Sequence, residues 1–450
     1  MTPKYVDLFA GIGGFAAAFE AMGFKNEVSA EFDPDAAKTY KYFWGHDALA
    51  DVTKIAPDVE PGSNIGIGRH DVLAAGFPCQ PFSKSGAQLG VLDKSRGTLF
   101  HNVLNAIRTG SPSIVILENV RNLAGPKHEK DLQIIKESLR ELGYRVGLDN
   151  VFVSPHKISP VYGGRPQNRE RIFIVATKVP NGVGEFAKAP LDVYAQIPTK
   201  WDPKDWEISK DLLSKPEDTQ DSNQISDSEK LVLQAWDEFV RVIRAQKHTV
   251  PAFPVWVDYW RENALEEDMP TWKRAIVQKN FDFYFKHQQI LDSWLMKYSV
   301  RSAPQFTASK RKLEWQAQDM SSLFEGLVHF RPSGVRVKKP TYLPALVAIT
   351  QTPIIASESR RLSVREAARL QGFPDSFTFE HQTEAKSFKQ LGNGVNIGVV
   401  WWVMKSLASR DRDLLEQTEA GRQLLSQINN APASPDEILS EFKPKGQLDL

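Results

Sequence analysis

The first join in the chain constrains its fold more than any other feature. An apolar run over residues 5–10 leads into Gly11-Ile12-Gly13-Gly14, and a helical pattern follows through Phe15, Phe19 and Met22 until Gly23 stops it. A strand that turns on glycines directly into a helix lets backbone approach a ligand closely. The same alternation continues to residue 178. Strands are predicted over 27–31, 72–76, 114–117, 146–153 and 171–177, and helices over 34–43, 97–108 and 129–142. This order predicts an α/β domain, a mostly parallel sheet with helices on both faces.

Glu31 stands twenty residues beyond Gly11, at the end of the second predicted strand. An acid there can grip ribose hydroxyls, so the pair fits an adenosine-cofactor fingerprint. The pattern alone does not separate a nicotinamide dinucleotide from other adenosine cofactors. A tight strand–helix turn with no ligand reads the same way.

The texture changes near Lys178. Residues 178–230 are rich in Pro, Asp, Lys and Ser, and from 201 onward tryptophans cluster: Trp201, Trp206, Trp236, Trp256, Trp260, Trp272, Trp294 and Trp315. Leu231, Trp236, Phe239, Val240 and Ile243 fit one helix face, and Ile290, Leu291, Trp294 and Leu295 another. This predicts an inserted domain with its own aromatic core. The α/β character returns at Ser363-Val364-Arg365-Glu366, a capping box. Residues 391–395 read as a turn leading into a helix through Val399, Val400 and Trp401. The expected division is 1–178, an insert with its hinge over 179–384, and 385–450 completing the first domain with a helical tail.

Cys79 is the single cysteine of the 450 residues. It lies in Gly76-Phe77-Pro78-Cys79-Gln80-Pro81-Phe82-Ser83, directly after an apolar run that reads as a buried strand. A lone cysteine is either a small core hydrophobe or a reagent. Its place in a loop at a strand end, where α/β sheets bind ligands, favours the reagent. One thiol excludes an internal disulfide and suits a reducing cytoplasm. The opening residues lack the regions of a signal peptide, and no apolar stretch is long enough to span a bilayer. The net charge is +1, so any nucleic-acid surface must be a local basic patch.

Several motifs occur in a fixed order. Residues 7–15 read Asp-Leu-Phe-Ala-Gly-Ile-Gly-Gly-Phe, followed by the Cys79 segment, Arg96-Gly-Thr-Leu-Phe100, Glu118-Asn-Val120 and Gln167-Asn-Arg-Glu-Arg171. Arg365-Glu-x-x-Arg-Leu-Gln-Gly-Phe-Pro374 and Gly392-Asn-Gly-Val395 come after the insert. The set closely resembles the cytosine-C5 DNA methyltransferase family, of the bacterial restriction-modification type. The resemblance covers about residues 1–178 and 360–402, and the insert falls where that family carries its variable target-recognition domain.

The resemblance implies a Rossmann-like methyltransferase fold and S-adenosylmethionine as cofactor, with no metal. It places Phe9, Gly11, Gly13 and Gly14 along the cofactor, Glu31 on its ribose and Asp51 on its adenine amino group. Phe32 stands where the family usually has Trp, and still offers a flat face for adenine. Pro78, Leu99 and Asn393 complete the implied pocket. The alternative reading of Asp51, in a short element, is a plain turn aspartate. The implied catalytic set is Cys79, Glu118, Arg169 and Arg171. Gln80, Ser83, Ser85 and Arg96 flank the catalytic loop and suit contacts to DNA, and the Gly-rich stretch 85–90 suits a loop that closes over it. Arg336, Lys338 and Lys339 form a basic stretch in the insert, suited to phosphate and groove contacts, although a charge run is often only a solvated face. The insert lacks the Thr often found after the corresponding proline segment, which leaves its base-reading residues open.

The chemistry needs such residues. Cytosine C5 is too weak a nucleophile to attack a sulfonium methyl unaided, and a thiolate adding to C6 makes it enamine-like. A donor at N3 must then take the developing charge; the resemblance gives this role to Glu118, whose carboxyl must be protonated to donate, a form that burial beside an apolar strand would favour. No residue announces itself as the base for the C5 proton. The expected partners are double-stranded DNA and, by analogy, a cognate restriction endonuclease, for a cytoplasmic monomer. Two other readings stay open: a tRNA cytosine-C5 methyltransferase, and a catalytically silent DNA-binding regulator, against which the intact Cys79, Glu118 and arginine set argues.

Overall fold

The computed structural model describes residues 2–57, 67–78, 99–180, 182–213, 223–262, 264–265, 268–317, 319–346, 352–379 and 381–446. They form two compact units. The first comprises Met1–Trp206, Pro344–Ala348 and Ala367–Leu450, the second Glu207–Leu343 and Ile349–Glu366. Residues 179–206 and 367–384, assigned in the expected division to the insert and its hinge, fall in the first unit.

The first unit is built on β1 (Lys4–Leu8), β2 (Lys25–Ala30), β3 (Val72–Ala75), β4 (Ile114–Val120), β5 (Tyr144–Gly147), β6 (Val151–Val153), β7 (Arg171–Lys178) and β8 (Glu185–Ala187). Their order across the sheet is β2-β1-β3-β4-β7-β5-β8, with β6 also on β7. β1 to β4 are mutually parallel, and β7 runs against β4, β5 and β6. The strand expected over 146–153 is thus two strands. In the connection between them Lys136 Nζ donates to the Leu148 carbonyl at 2.6 Å and to Asn150 Oδ1 at 3.0 Å.

Both faces of the sheet are covered, which is why β1, β3 and β4 read as continuous apolar runs rather than alternating ones. The helices are α1 (Gly14–Ala21), α2 (Pro34–Trp44), α3 (Leu99–Gly110) and α4 (Glu129–Glu141). α2 starts where the sequence demands: Asp33 accepts hydrogen bonds from the Asp35 and Ala36 amides, and Pro34 needs no partner for its nitrogen. Val103, Leu104 and Ile107 of α3 and Ile135 and Leu139 of α4 share a core with Val6, Leu73, Val115 and Ile174.

The second unit contains α5 (Asp227–Ala245), α6 (Thr271–Lys286) and α7 (Gln288–Tyr298). Its sheet holds β9 (Val255–Trp256), β10 (Lys312–Gln316), β11 (Leu327–Arg331), β12 (Gly334–Lys338), β13 (Ile354–Ile355) and β14 (Arg360–Arg361), in the order β9-β10-β12-β11-β13-β14. Trp236, Trp260, Trp294 and Trp315 lie in one buried core with Phe239 and Leu291. Trp206 belongs to the first unit, where its indole donates to the His156 carbonyl at 2.7 Å, and Trp272 is exposed.

The chain leaves the second unit through α8 (Val364–Gln371). Its capping box is formed: the Glu366 amide donates to Ser363 Oγ at 3.2 Å, and the Ser363 amide donates to the Glu366 carboxylate at 2.9 Å. Then come α9 (Glu384–Asn393) and α10 (Ile397–Arg410). The turn expected over 391–395 is shorter, because α9 runs on to Asn393 and Asn396 caps α10 by accepting from the Val399 amide at 3.0 Å. α10 packs on α1 and so completes the first unit.

Candidate active site

The carboxyl ends of β1, β3 and β4 lie side by side because these strands are adjacent and parallel. The strand order reverses between β1 and β3, and a crevice forms at such a switch point. The glycine turn follows β1, Glu31 follows β2, Gly76-Phe77-Pro78 follows β3, and Glu118 lies near the end of β4. β7 is antiparallel, so its beginning rather than its end reaches the same edge, and Arg169 and Arg171 arrive with it.

The turn after β1 is tightly held. Phe9, Gly11 and Gly13 have φ of 61°, 55° and 92°. A Cβ on Gly13 would stand 2.0 Å from Trp44 Nε1, and one on Gly14 would stand 2.5 Å from the Val395 carbonyl oxygen. A Cβ on Gly11 would meet nothing within 4 Å. Gly13 and Gly14 are therefore required by close packing, while Gly11 faces open space. Trp44 Nε1 donates to the Ile12 carbonyl at 3.0 Å, and the Glu31 carboxylate accepts from the Gly11 amide at 2.8 Å and the Asp33 amide at 2.7 Å. Gly13→Ala combines left-handed strain with overpacking, and its stability should fall by on the order of 2–4 kcal/mol. Denaturant unfolding checks this against Gly11→Ala, which carries only the strain.

Phe32 beside Glu31 is 78% exposed, a flat apolar surface that a buried core would have absorbed. Pro78 and Asn393 are exposed as well, and Leu99 opens α3 half-buried. Asp51 is engaged: its Oδ1 accepts from the Thr53 amide at 2.9 Å and the Thr53 hydroxyl at 2.7 Å, and these bonds hold its carboxyl below the ordinary range. It caps the short helix Val52–Ile55. An open glycine face, an acid on the adjoining strand end and an exposed phenyl ring fit an adenosine-containing cofactor.

Asp7, beneath this turn, is fully buried. Neither carboxylate oxygen has a hydrogen-bond partner of good geometry among the described residues. Burial, reinforced by the Glu31 carboxylate, pushes its pKa well above the ordinary value, and the Ala16 amide offsets only part of that. Its burial thus favours the neutral carboxyl.

Glu118 forms an ion pair with Arg171, Oε1 to Nε at 3.1 Å, and its Oε2 lies 3.5 Å from where a Cβ on Gly76 would be. Burial raises the Glu118 carboxyl above its usual range, against the pull of Arg171 and Arg169, and burial also lowers the Arg171 guanidinium. At Glu118 burial thus works toward the neutral carboxyl and the two arginines toward the carboxylate. The next residue, Asn119, is buried and donates to the Phe77 carbonyl at 2.9 Å. It anchors the segment that runs into Cys79.

Arg169 behaves differently from Arg171. It is 2% exposed, and its guanidinium donates to the carbonyls of Leu346 at 3.0 Å, Gly392 at 2.9 Å and Gly394 at 2.7 Å. The carbonyls of Gly392 and Gly394 flank Asn393. Burial lowers the Arg169 pKa to about 9, so it stays charged near neutral pH. Cys79, Gln80, Ser83, Ser85 and Arg96, with the 85–90 stretch, lie outside the described residues.

In the second unit, Arg336 and Lys338 alternate along β12 and pair in register with Glu314 and Gln316 of β10 and with His329 and Leu327 of β11. Val335 and Val337 point the other way, into the core. Arg336 and Lys338 therefore face away from that core, with Arg331 near them and the acid Glu314 between. Burial and then Lys338, Arg331, Arg336 and Arg361 lower the His329 pKa to about 4. Glu314 accepts from Arg336 Nε at 2.7 Å, and Lys339 pairs with Asp319 at 2.7 Å.

The structure adds three residues to the site: Asp7, Trp44 and Asn119. Asp7 left a trace in the sequence, an acid within an apolar strand. Asn119 stood inside a motif with no role of its own. Trp44 gave no signal, since its link to Ile12 spans 32 positions.

The description "C-5 cytosine-specific DNA methylase" matches by family model over residues 3–409. The type II methyltransferase M.AluI of Cellulosimicrobium cellulans is 39% identical over 94% of this chain and 95% of its own length. The type II methyltransferase M.HhaI of Haemophilus parahaemolyticus is 26% identical over 90% of this chain and 94% of its own length. Among solved structures, the S. pombe Dnmt2 methyltransferase aligns with 90% of this chain and 98% of its own, at 16% identity and a TM-score of 0.45. From the first glycine turn to the returning helix after Gly394, this chain belongs to the C-5 cytosine-specific DNA methylase family and is a DNA (cytosine-5)-methyltransferase.

Proposed function

We propose that the enzyme methylates a flipped-out cytosine within a specific sequence of double-stranded DNA, using S-adenosylmethionine and a covalent bond from Cys79 to C6. The observation that carries this is the meeting of Glu118, Arg171 and the Gly76–Pro78 segment at the carboxyl ends of adjacent parallel strands, beside the glycine turn. A base inside a duplex hides its reacting face, and methyltransferases are a known case of enzymes that flip it out.

The Cys79 thiolate adds to C6. Glu118, whose carboxyl is shifted by burial toward the protonated form, donates at N3 as charge develops there. Arg171 holds the Glu118 carboxyl in place and keeps it from rotating away. S-adenosylmethionine supplies the methyl group from its sulfonium. C5 would accept that methyl as the cofactor's sulfur leaves as a thioether, the C5 proton leaves to water or a nearby base, the Cys79–C6 bond breaks to restore the thiolate, and N3 returns its proton to Glu118 as the aromatic ring re-forms. Phe9, Gly11, Gly13, Gly14, Glu31, Phe32, Pro78, Leu99 and Asn393 would hold the cofactor, Glu31 by the ribose and Phe32 by the adenine. Asp51 would have to reach adenine with its second oxygen, since Oδ1 serves as a helix cap. Arg169 acts as a positioning residue through the carbonyls on either side of Asn393.

The second unit would select the DNA sequence. Like charges crowded on one sheet face cost free energy that an anion offsets, and phosphates supply one. Arg336 is oriented by Glu314 and suits a base edge, while Lys338 suits phosphate. Lys339 contributes less, because Asp319 already neutralises it. Lys338→Ala should weaken binding evenly across sequences and reduce the salt slope of log K by about 0.9 for one lost phosphate contact. Titrations at several salt concentrations check this, with Lys339→Ala expected to change the slope less.

The names of the M.AluI and M.HhaI relatives support the role of a type II modification methyltransferase, and the proposal adds to it a cognate endonuclease, a monomeric state and a cytoplasmic location. No helix among the described residues is long and apolar enough to cross a membrane. Labelled-methyl transfer to duplex DNA and to tRNA, followed by bisulfite sequencing of the DNA, tests the reading. Methylation of tRNA alone, or of cytosines without regard to sequence, would overturn it.

A further inference from the structure

The family match ends at residue 409, and the described chain runs on to residue 446. Its last stretch returns to α2. A helix leaves its final carbonyls without intrahelical partners. Here the Gly446 amide donates to the Tyr42 carbonyl at 2.9 Å and the Lys445 amide to the Phe43 carbonyl at 3.2 Å, both in the last turn of α2. Lys445 also pairs with Glu20, the acid that accepts from Tyr5 and His46. The fit is close, because a Cβ on Gly446 would stand 2.5 Å from the Lys41 carbonyl oxygen.

Phe442 touches Trp44, ring centroids 4.9 Å apart. That is the nearest ring contact of Trp44, closer than Phe377 at 6.2 Å or Tyr40 at 6.4 Å. Trp44 is the residue whose indole donates to Ile12 and against which Gly13 is pressed. A chain of direct contacts therefore runs from the tail through Trp44 to the glycine turn. If the indole can shift, the turn loses both its hydrogen bond and its packing wall.

We propose that residues 442–446 are a positioning strap for the cofactor turn: they cap α2 and clamp Trp44, which sets the backbone of residues 11–14 to receive S-adenosylmethionine. This rests on the placement of the cofactor at that turn. Phe442 and Lys445 touch no cofactor and no reacting atom, so their effect falls on cofactor affinity and not on the chemical step.

The test uses the full-length protein and S-adenosylhomocysteine as probe, with binding measured by calorimetry. Phe442→Ala should weaken binding about two- to tenfold, the worth of one aromatic contact, and Phe442→Tyr should restore it. At saturating cofactor, kcat and KM for DNA should stay at wild-type values. Linkage is reciprocal, so the probe must also tighten the strap. In the wild-type protein, exchange of the Lys445 and Gly446 amide hydrogens should slow when S-adenosylhomocysteine is added, a reading that needs no variant to fold. Unchanged affinity in a folded Phe442→Ala, or unchanged exchange at these amides, overturns the strap. Glu31→Ala separates this from the parent reading: if Glu31→Ala binds the probe as well as wild type, the cofactor is not at this turn.

Discussion

Cys79→Ala is expected to reduce methyl transfer by several orders of magnitude while S-adenosylmethionine binding stays within about twofold of wild type. The side chain is the only thiol in the chain, and no other residue type present can add reversibly to C6 with comparable softness. Cofactor binding, by contrast, draws on the glycine turn and Glu31. A single-turnover assay and calorimetry measure the two effects separately. DNA with 5-fluorocytosine at the target gives a second view. Fluorine cannot leave as the C5 proton does, so the enzyme should be trapped on the DNA as a band that survives denaturing electrophoresis. Substantial turnover by Cys79→Ala would falsify the covalent route.

Glu118→Ala should cost about 10²–10⁴ in kcat, the range for losing a positioned acid. Glu118→Gln keeps a donor toward N3 but no transferable proton, and should lose less. The pH profile carries the sharper distinction. The form needed is the protonated carboxyl, and burial raises its pKa in the folded protein. Activity owed to it is fully present below that raised pKa and is lost as pH rises through it. The wild-type kcat should therefore show an alkaline limb that is absent in Glu118→Gln. A matching limb in both proteins would assign the titration to another group. Arg171→Ala should move the same limb upward, since it removes the nearby charge that favours the carboxylate.

The alternation of strand and helix was legible because it is local. Apolar runs bounded by glycine and helical spacings along 15, 19 and 22 each record which face of an element is buried, and the burial observed on β1, β3 and α1 follows them. The capping box at Ser363 and the aromatic core around Trp236 and Trp294 were legible for the same reason. Strand ends were less so. Residues 146–153 carry the composition of one strand, and the Lys136 ammonium that binds the Leu148 carbonyl between β5 and β6 lies 12 positions away. The helical reach of α9 through Gly392 and Asn393 ran against turn residues that, by composition, stop helices.

The site shows the same divide. Order and spacing of the motifs named Glu118, Arg169 and Arg171 together and treated the two arginines alike. The fold separates them: Arg171 meets Glu118, and Arg169 turns to the carbonyls of Leu346, Gly392 and Gly394. Two positions apart on a strand fixes a shared side, not a shared partner. Asp51 likewise became a helix cap through Thr53, two residues on, a choice that both readings of its motif allowed.

By itself the sequence determined the family, the strand–helix order, the single thiol, and the kinds of side chain available for binding a nucleoside and activating a cytosine. Those properties reside in residue type and local period, which need no knowledge of what lies across the sheet. Only the tertiary structure decided that β7 runs antiparallel and so delivers Arg171 to Glu118, that Asn119 anchors the segment leading to Cys79, and that the glycine turn rests on Trp44 beneath Phe442. Each of these depends on contacts between residues 32 to several hundred positions apart. Such contacts form because close packing brings them together, and no local pattern in the chain records them.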